Sequence, residues 1–205
     1  MFGGTPAQQR ASSSMLKAKP MLRDTQDDTT TNGNASGGDT ETLSTALPDD
    51  VEDAARDLLE AAYDADIELA SAESCTGGML ASILTDVEGR SSVFERAFVV
   101  YSPEAKCELL GLKREMVDDC GAVSEEVARA LAEAALDRSN AQVAIGITGF
   151  TGRGGPDDEP GLVHMAVARH GADTRHEEHH YGDIGRGPAR IRTVRDAIRM
   201  MREAV

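Results

Sequence analysis

Aromatic side chains are nearly missing from this chain of 205 residues: four Phe, three Tyr and no Trp. Its core therefore has to rest on Ala, Val, Leu, Ile and Met. Cysteine is also scarce. Cys75, Cys107 and Cys120 form no C-x-x-C pair, and an odd count in a chain without an apolar leader is expected of a reducing, cytoplasmic setting. No apolar run approaches the ~18 residues that a membrane span requires. Basic residues are outnumbered, 21 against 36 acidic, for a formal charge of -15. Such a surface repels nucleic acid and anionic lipid, so neither is an expected partner, and an anionic substrate would need a locally positive site.

Residues 1–47 read as a disordered, low-complexity tail. Ser12-Ser13-Ser14, Thr29-Thr30-Thr31 and Asn32-Gly33-Asn34-Ala35-Ser36-Gly37-Gly38 hold too little apolar surface to offset the entropy of ordering. Arg10, Lys17, Lys19 and Arg23 with no acid among them faintly suggest a transit peptide. No amphipathic Arg face can be drawn, however, so a start codon set too far upstream is the preferred reading. The tail carries four basic and five acidic residues, which leaves 14 of the 15 net negative charges to the domain, residues 48–205.

That domain alternates helix and strand patterns. Val51, Ala54, Ala55, Leu58, Leu59 and Ala62 recur at helical spacing over 49–66, behind Pro48 and with acids in the first turn. A strand over 67–72, a helix ending near Asp86, a strand over 94–101 and short helices after Pro103 and over 112–120 follow. Ser124 caps a helix whose apolar face is Val127, Ala130, Leu131, Ala134 and Ala135. Val143–Thr148 reads as a buried strand running into a glycine-rich loop over 149–161. A strand over 162–168, a polar hairpin partner over 174–181 and a closing helix complete the pattern. Alternation of this kind predicts an α/β sandwich, with the late hairpin making the sheet mixed.

Ala70-Ser71-Ala72-Glu73-Ser74-Cys75-Thr76-Gly77-Gly78 joins the first strand to its helix. Helix starts present unpaired N–H groups that favour anions and developing oxyanions. Gly77 and Gly78, having no Cβ, allow close approach. Ser74 and Cys75 are side by side at that point as possible nucleophiles. Taken alone, a small hydroxyl residue here is more ordinarily a helix cap. Cys75 has no partner His near it in the chain, which favours core packing. Glu73 could equally orient a neighbouring cation or cap the turn.

Four blocks in order carry a resemblance: Ala72–Gly78; Tyr101-Ser102-Pro103-Glu104-Ala105-Lys106; Gly121-Ala122-Val123-Ser124-Glu125-Glu126-Val127-Ala128; and Thr148-Gly149 with its loop. Together the blocks, within about residues 51–203, resemble the CinA C-terminal domain family, whose enzymatic members are nicotinamide-nucleotide amidohydrolases. The other domain of full-length CinA proteins has no counterpart here. The resemblance implies a three-layer α/β/α fold and hydrolysis of the carboxamide of nicotinamide mononucleotide to nicotinic acid mononucleotide and ammonia, with no metal and no cofactor, and it suggests a dimer. Carried onto this chain, Ser74 is the nucleophile, assisted by Lys106 and Tyr101. A serine hydroxyl needs a neighbouring base, and a lysine serves only if its pKa is driven toward neutrality. From residue 49 onward the chain has only two lysines, Lys106 and Lys113, against a habit of Arg, which cannot be deprotonated.

Backbone N–H groups of Cys75 and Thr76 are expected to meet the oxyanion. Glu73, Gly77, Gly78, Thr148, Gly149 and Arg153 are the candidates for substrate binding, the glycine stretches as nests of N–H groups. This chain departs from the family pattern at Pro103, Phe150-Thr151, Arg153 and Glu159. An insertion after Asp183 leaves Arg186 or Arg190 as the substitute for a usual Arg. The alternative to an enzyme is an idle nucleotide-binding or regulatory module on the same fold. His176-Glu177-Glu178-His179-His180 matches the zinc-protease pattern H-E-x-x-H, but a polar stretch between Gly171 and Gly182 suits an exposed strand, where two such His cannot reach one ion.

Overall fold

The computed structural model describes residues 47–87, 89, 90 and 92–205; apart from Leu47, the expected tail lies outside them. Five strands form one mixed sheet in the order β2-β1-β3-β4-β5. Strands β1 (Leu69–Glu73), β2 (Phe94–Val99) and β3 (Val143–Gly149) run parallel, while β4 (Leu162–Arg169) and β5 (Arg175–His180) are added antiparallel. Helices α1 (Asp49–Asp64), α2 (Met79–Thr85) and α6 (Arg186–Arg202) contribute to one core cluster, with Leu69, Ile145, Ile147 and Met165 of the strands. Helices α3 (Pro103–Leu110), α4 (Arg114–Cys120) and α5 (Glu125–Asp137) contribute to the other, over Ala70, Ala72, Ala144 and Ala166. This is the expected three-layer α/β/α sandwich.

Boundaries moved where local backbone intervened. Asp66 takes a left-handed φ of 55 and the Ile67 N–H turns back to the Ala62 carbonyl, so β1 starts at Leu69 rather than Ile67. Only small residues face α5 from the middle of the sheet. A Cβ at Gly146 would collide with the Ala128 carbonyl and the Ala132 N–H, so this glycine sets how closely α5 lies on β3.

Topology locates the site before any side chain is considered. From β1 the chain passes through α2 to β2 on one side. It then returns through α3, α4 and α5 to β3 on the other side of β1. Helices lie on opposite faces of the sheet in these two crossovers. The direction of winding therefore reverses at β1, and such a reversal opens a crevice at the carboxyl ends of the strands. Ser74 is the first residue past the end of β1.

Candidate active site

β1 is buried along its whole length and delivers the 74–78 turn into that crevice. Glu73 decides how the turn is built. Its carboxyl oxygens accept from the N–H groups of Gly78 (3.0 Å), Leu80 (3.2 Å) and Ala81 (2.9 Å), and from Ser71 Oγ at 3.3 Å. A side chain in the strand thus caps the helix that follows. Gly77 and Gly78 have φ of 64 and 91, which allows the chain to double back over it. Of the two roles left open for Glu73, the cap is the one it takes. Its placement among the substrate-binding candidates is corrected, because it is fully buried and absent from the cleft lining. So is that of Gly77 and Gly78 as an anion nest, because Glu73 has taken the donors of the α2 start.

Lys106 arrives from the first turn of α3, whose start is set by Pro103 and by the Ser102 hydroxyl accepting from the Ala105 N–H. It is 1% exposed. Nζ stands 3.1 Å from Ser74 Oγ, 3.0 Å from the Val100 carbonyl and 3.3 Å from that of Tyr101. Burial pushes the Lys106 pKa below the ordinary value. In the neutral amine the two carbonyls engage two N–H groups, and the lone pair is left for the Ser74 hydroxyl. Tyr101 reaches Lys106 through its carbonyl and not its phenol. The assistance expected of Tyr101 thus takes the form of a carbonyl that holds the amine, while the residue itself is 66% exposed and lines the cleft.

The turn is pinned by its carbonyls. Ser74 O accepts from the Gly77 N–H and Cys75 O from Arg190 Nε at 2.8 Å, while the Ser74 N–H is used by Ile147 O. Among the described residues the Cys75 and Thr76 N–H groups have no acceptor, as the expected oxyanion donors require. The Cys75 thiol is buried and its pKa is pushed up to about 12, so it remains a thiol and does not compete with Ser74.

The cleft has a volume of about 250 Å³. It is lined by Ser74, Cys75, Tyr101, Lys106, Ala122, Val123 and Thr148, by Gly149, Phe150, Thr151, Gly152 and Gly154 of the loop after β3, and by Arg186. Thr148 is held by its hydroxyl donating to the Ala122 carbonyl at 2.7 Å. Arg153 is displaced from its expected role: it is 87% exposed and pairs with Asp183 at 3.3 Å, outside the cleft. Of the two Arg left open by the insertion, Arg186 lines the cleft and Arg190 braces the turn. The H-E-x-x-H stretch is strand β5, at the edge of the sheet. Among the described residues no group of three or more His, Cys, Asp or Glu is placed to hold a metal ion.

Comparison with known proteins agrees with this architecture. The family model of the CinA C-terminal domain matches residues 51–205. The chain belongs to the CinA family. A CinA-like protein of Akkermansia muciniphila is 47% identical over 114 residues, 55% of this chain and 28% of that protein. One from Chlorobium phaeobacteroides is 42% identical over 144 residues, 68% of this chain and 34% of its own length. The chain thus spans well under half the length of these CinA relatives. The competence/damage inducible protein CihA of Agrobacterium tumefaciens superposes with a TM-score of 0.74 at 39% identity, covering 77% of this chain and 97% of that one. A CinA superfamily protein of Escherichia coli does so at 0.71 and 29%, covering 80% and 96%.

Proposed function

We propose that this CinA-family domain hydrolyses the carboxamide of nicotinamide mononucleotide through a Ser74–Lys106 dyad. The observation that carries the reading is the 3.1 Å contact between Lys106 Nζ and Ser74 Oγ, made by a buried amine whose other hydrogen bonds go to two carbonyls. Ser74 Oγ attacks the carboxamide carbon as its proton passes to Lys106 Nζ. The negative oxygen is met by the N–H groups of Cys75 and Thr76. Lys106 then returns the proton to the departing nitrogen, ammonia leaves, and the acyl group stays on Ser74 as an ester. Water, losing its proton to Lys106, opens that ester to the carboxylate and restores the serine. In this reading Phe150 and Val123 of the cleft lining offer apolar surface to the pyridine ring, and Arg186 supplies the positive charge for the phosphate that an acidic protein otherwise lacks.

The test is ammonia release from nicotinamide mononucleotide by the purified protein. Ser74→Ala and Lys106→Ala should each lower kcat by about a thousandfold or more. Arg186→Gln should raise KM for the mononucleotide and leave the riboside nearly unaffected. Tight binding with no turnover would instead point to a nucleotide-binding or regulatory module.

A further inference from the structure

Helix α6 presents two arginines one turn apart, Arg186 and Arg190, with different targets. Arg186 lines the cleft. Arg190 is half-buried beneath the nucleophile turn, its Nε 2.8 Å from the Cys75 carbonyl oxygen and its guanidinium beside Gly77. Thr151, from the loop after β3, brings its hydroxyl within 3.5 Å of the same oxygen.

That oxygen belongs to the peptide whose N–H is Thr76's. The peptide is trans and planar, so its C=O and N–H point in opposite directions. Fixing one end fixes the other. The preceding peptide is held in the same manner, with Ser74 O bonded to the Gly77 N–H and the Cys75 N–H left over. The constraint on the Ser74 peptide is local to the turn, whereas that on the Cys75 peptide comes from 115 residues away in the chain.

We propose that Arg190 is a positioning residue for the oxyanion site: by holding the Cys75 carbonyl it sets the peptide that aims the Thr76 N–H at the reacting oxygen. It touches neither substrate nor Ser74 Oγ. A donor misplaced by about 1 Å can cost on the order of 100-fold in rate, because its bond is strongest only at the geometry of the transition state. The loss then falls on kcat and not on substrate affinity, in contrast to the effect of Arg186.

This inference rests on the amidohydrolase reading, and two assays separate them. With nicotinamide mononucleotide, Arg190→Met should lower kcat by about 10- to 100-fold at a KM within about threefold of the parent. Arg190→Lys, which retains one donor, should recover part of the loss. Unchanged kcat in Arg190→Met, or a loss expressed entirely in KM, overturns the proposal. The second assay is the rate at which a fluorophosphonate labels Ser74, which needs no particular substrate. Arg190→Met should slow labelling by about tenfold or more, and equal rates overturn the proposal. Slowed labelling in a protein whose parent form releases no ammonia removes the mononucleotide reading and leaves the positioning role standing. If Arg190→Met does not fold, Arg190→Lys alone decides: a several-fold loss in kcat at unchanged KM supports the role, and parent kcat or a raised KM overturns it.

Discussion

At the scale of single residues, the site turns on the chemistry of one amine. Water is kept from Lys106, and the ammonium form loses hydration that two carbonyls and a hydroxyl replace only in part, so its pKa falls. The free-enzyme limb of kcat/KM should therefore rise with pH and level off below the ordinary lysine value of 10.5. A pH–rate profile from pH 6 to 10 measures this. Lys106→Arg should be inactive across that whole range, since a guanidinium stays protonated. If the arginine variant kept even a tenth of the parent rate, general-base catalysis by residue 106 would be ruled out.

Individual elements hold Ser74 through a contact that runs backward from helix to strand. Glu73 accepts three N–H groups of the α2 start while sitting at the end of β1, so strand, turn and helix are locked together. Glu73→Gln puts an NH₂ where an acceptor is needed and leaves a buried N–H unpaired. Urea unfolding should show a loss of about 1–3 kcal/mol. Activity should fall further than stability alone accounts for, because Ser74 follows residue 73 directly. An unaltered denaturation midpoint would mean that α2 is capped some other way.

Across the whole molecule, charge and pH are linked through the β4–β5 edge. His164 Nδ1 and His176 Nε2 lie 3.1 Å apart in nearly parallel rings. Glu178 of β5 stands 3.7 Å from His164, and Glu125 of α5 stands 3.5 Å from His176, with Glu126 and Arg129 also close by. Burial leads the causes that lower both His pKa values. The unfolded chain therefore binds protons that the folded one refuses. This stabilisation is fully present above the ordinary His value of 6.5 and is lost as pH falls through the lowered folded values. His180, raised by its bonds to Glu159 and Glu178, works in the opposite sense, its contribution present at low pH and lost above its folded value. Unfolding free energy should thus decline between pH 7 and 5, and His164→Gln should flatten that decline. Parallel curves for parent and variant would show that the pair carries none of it.

Much of this molecule was determined by its sequence alone. Helical spacing in 49–62 and 127–135, and the buried run Val143–Thr148, reflect local periodicity and short-range capping, and the α/β sandwich follows from their alternation. Ser74 and Lys106 were singled out by the resemblance of the four blocks; residue type alone favoured a helix cap for Ser74 and offered for Lys106 only its rarity among arginines. Partners separated in the chain were not legible. Nothing in the order of residues says that Glu73 turns toward α2, that Tyr101 approaches Lys106 through its carbonyl, or that Arg153 pairs outward with Asp183 while Arg186 takes the cleft. Those assignments are made by the sheet order, which sets the directions in which side chains leave their strands and helices. A carbonyl oxygen or N–H is present at nearly every residue, so only the packed structure selects the few that do chemistry.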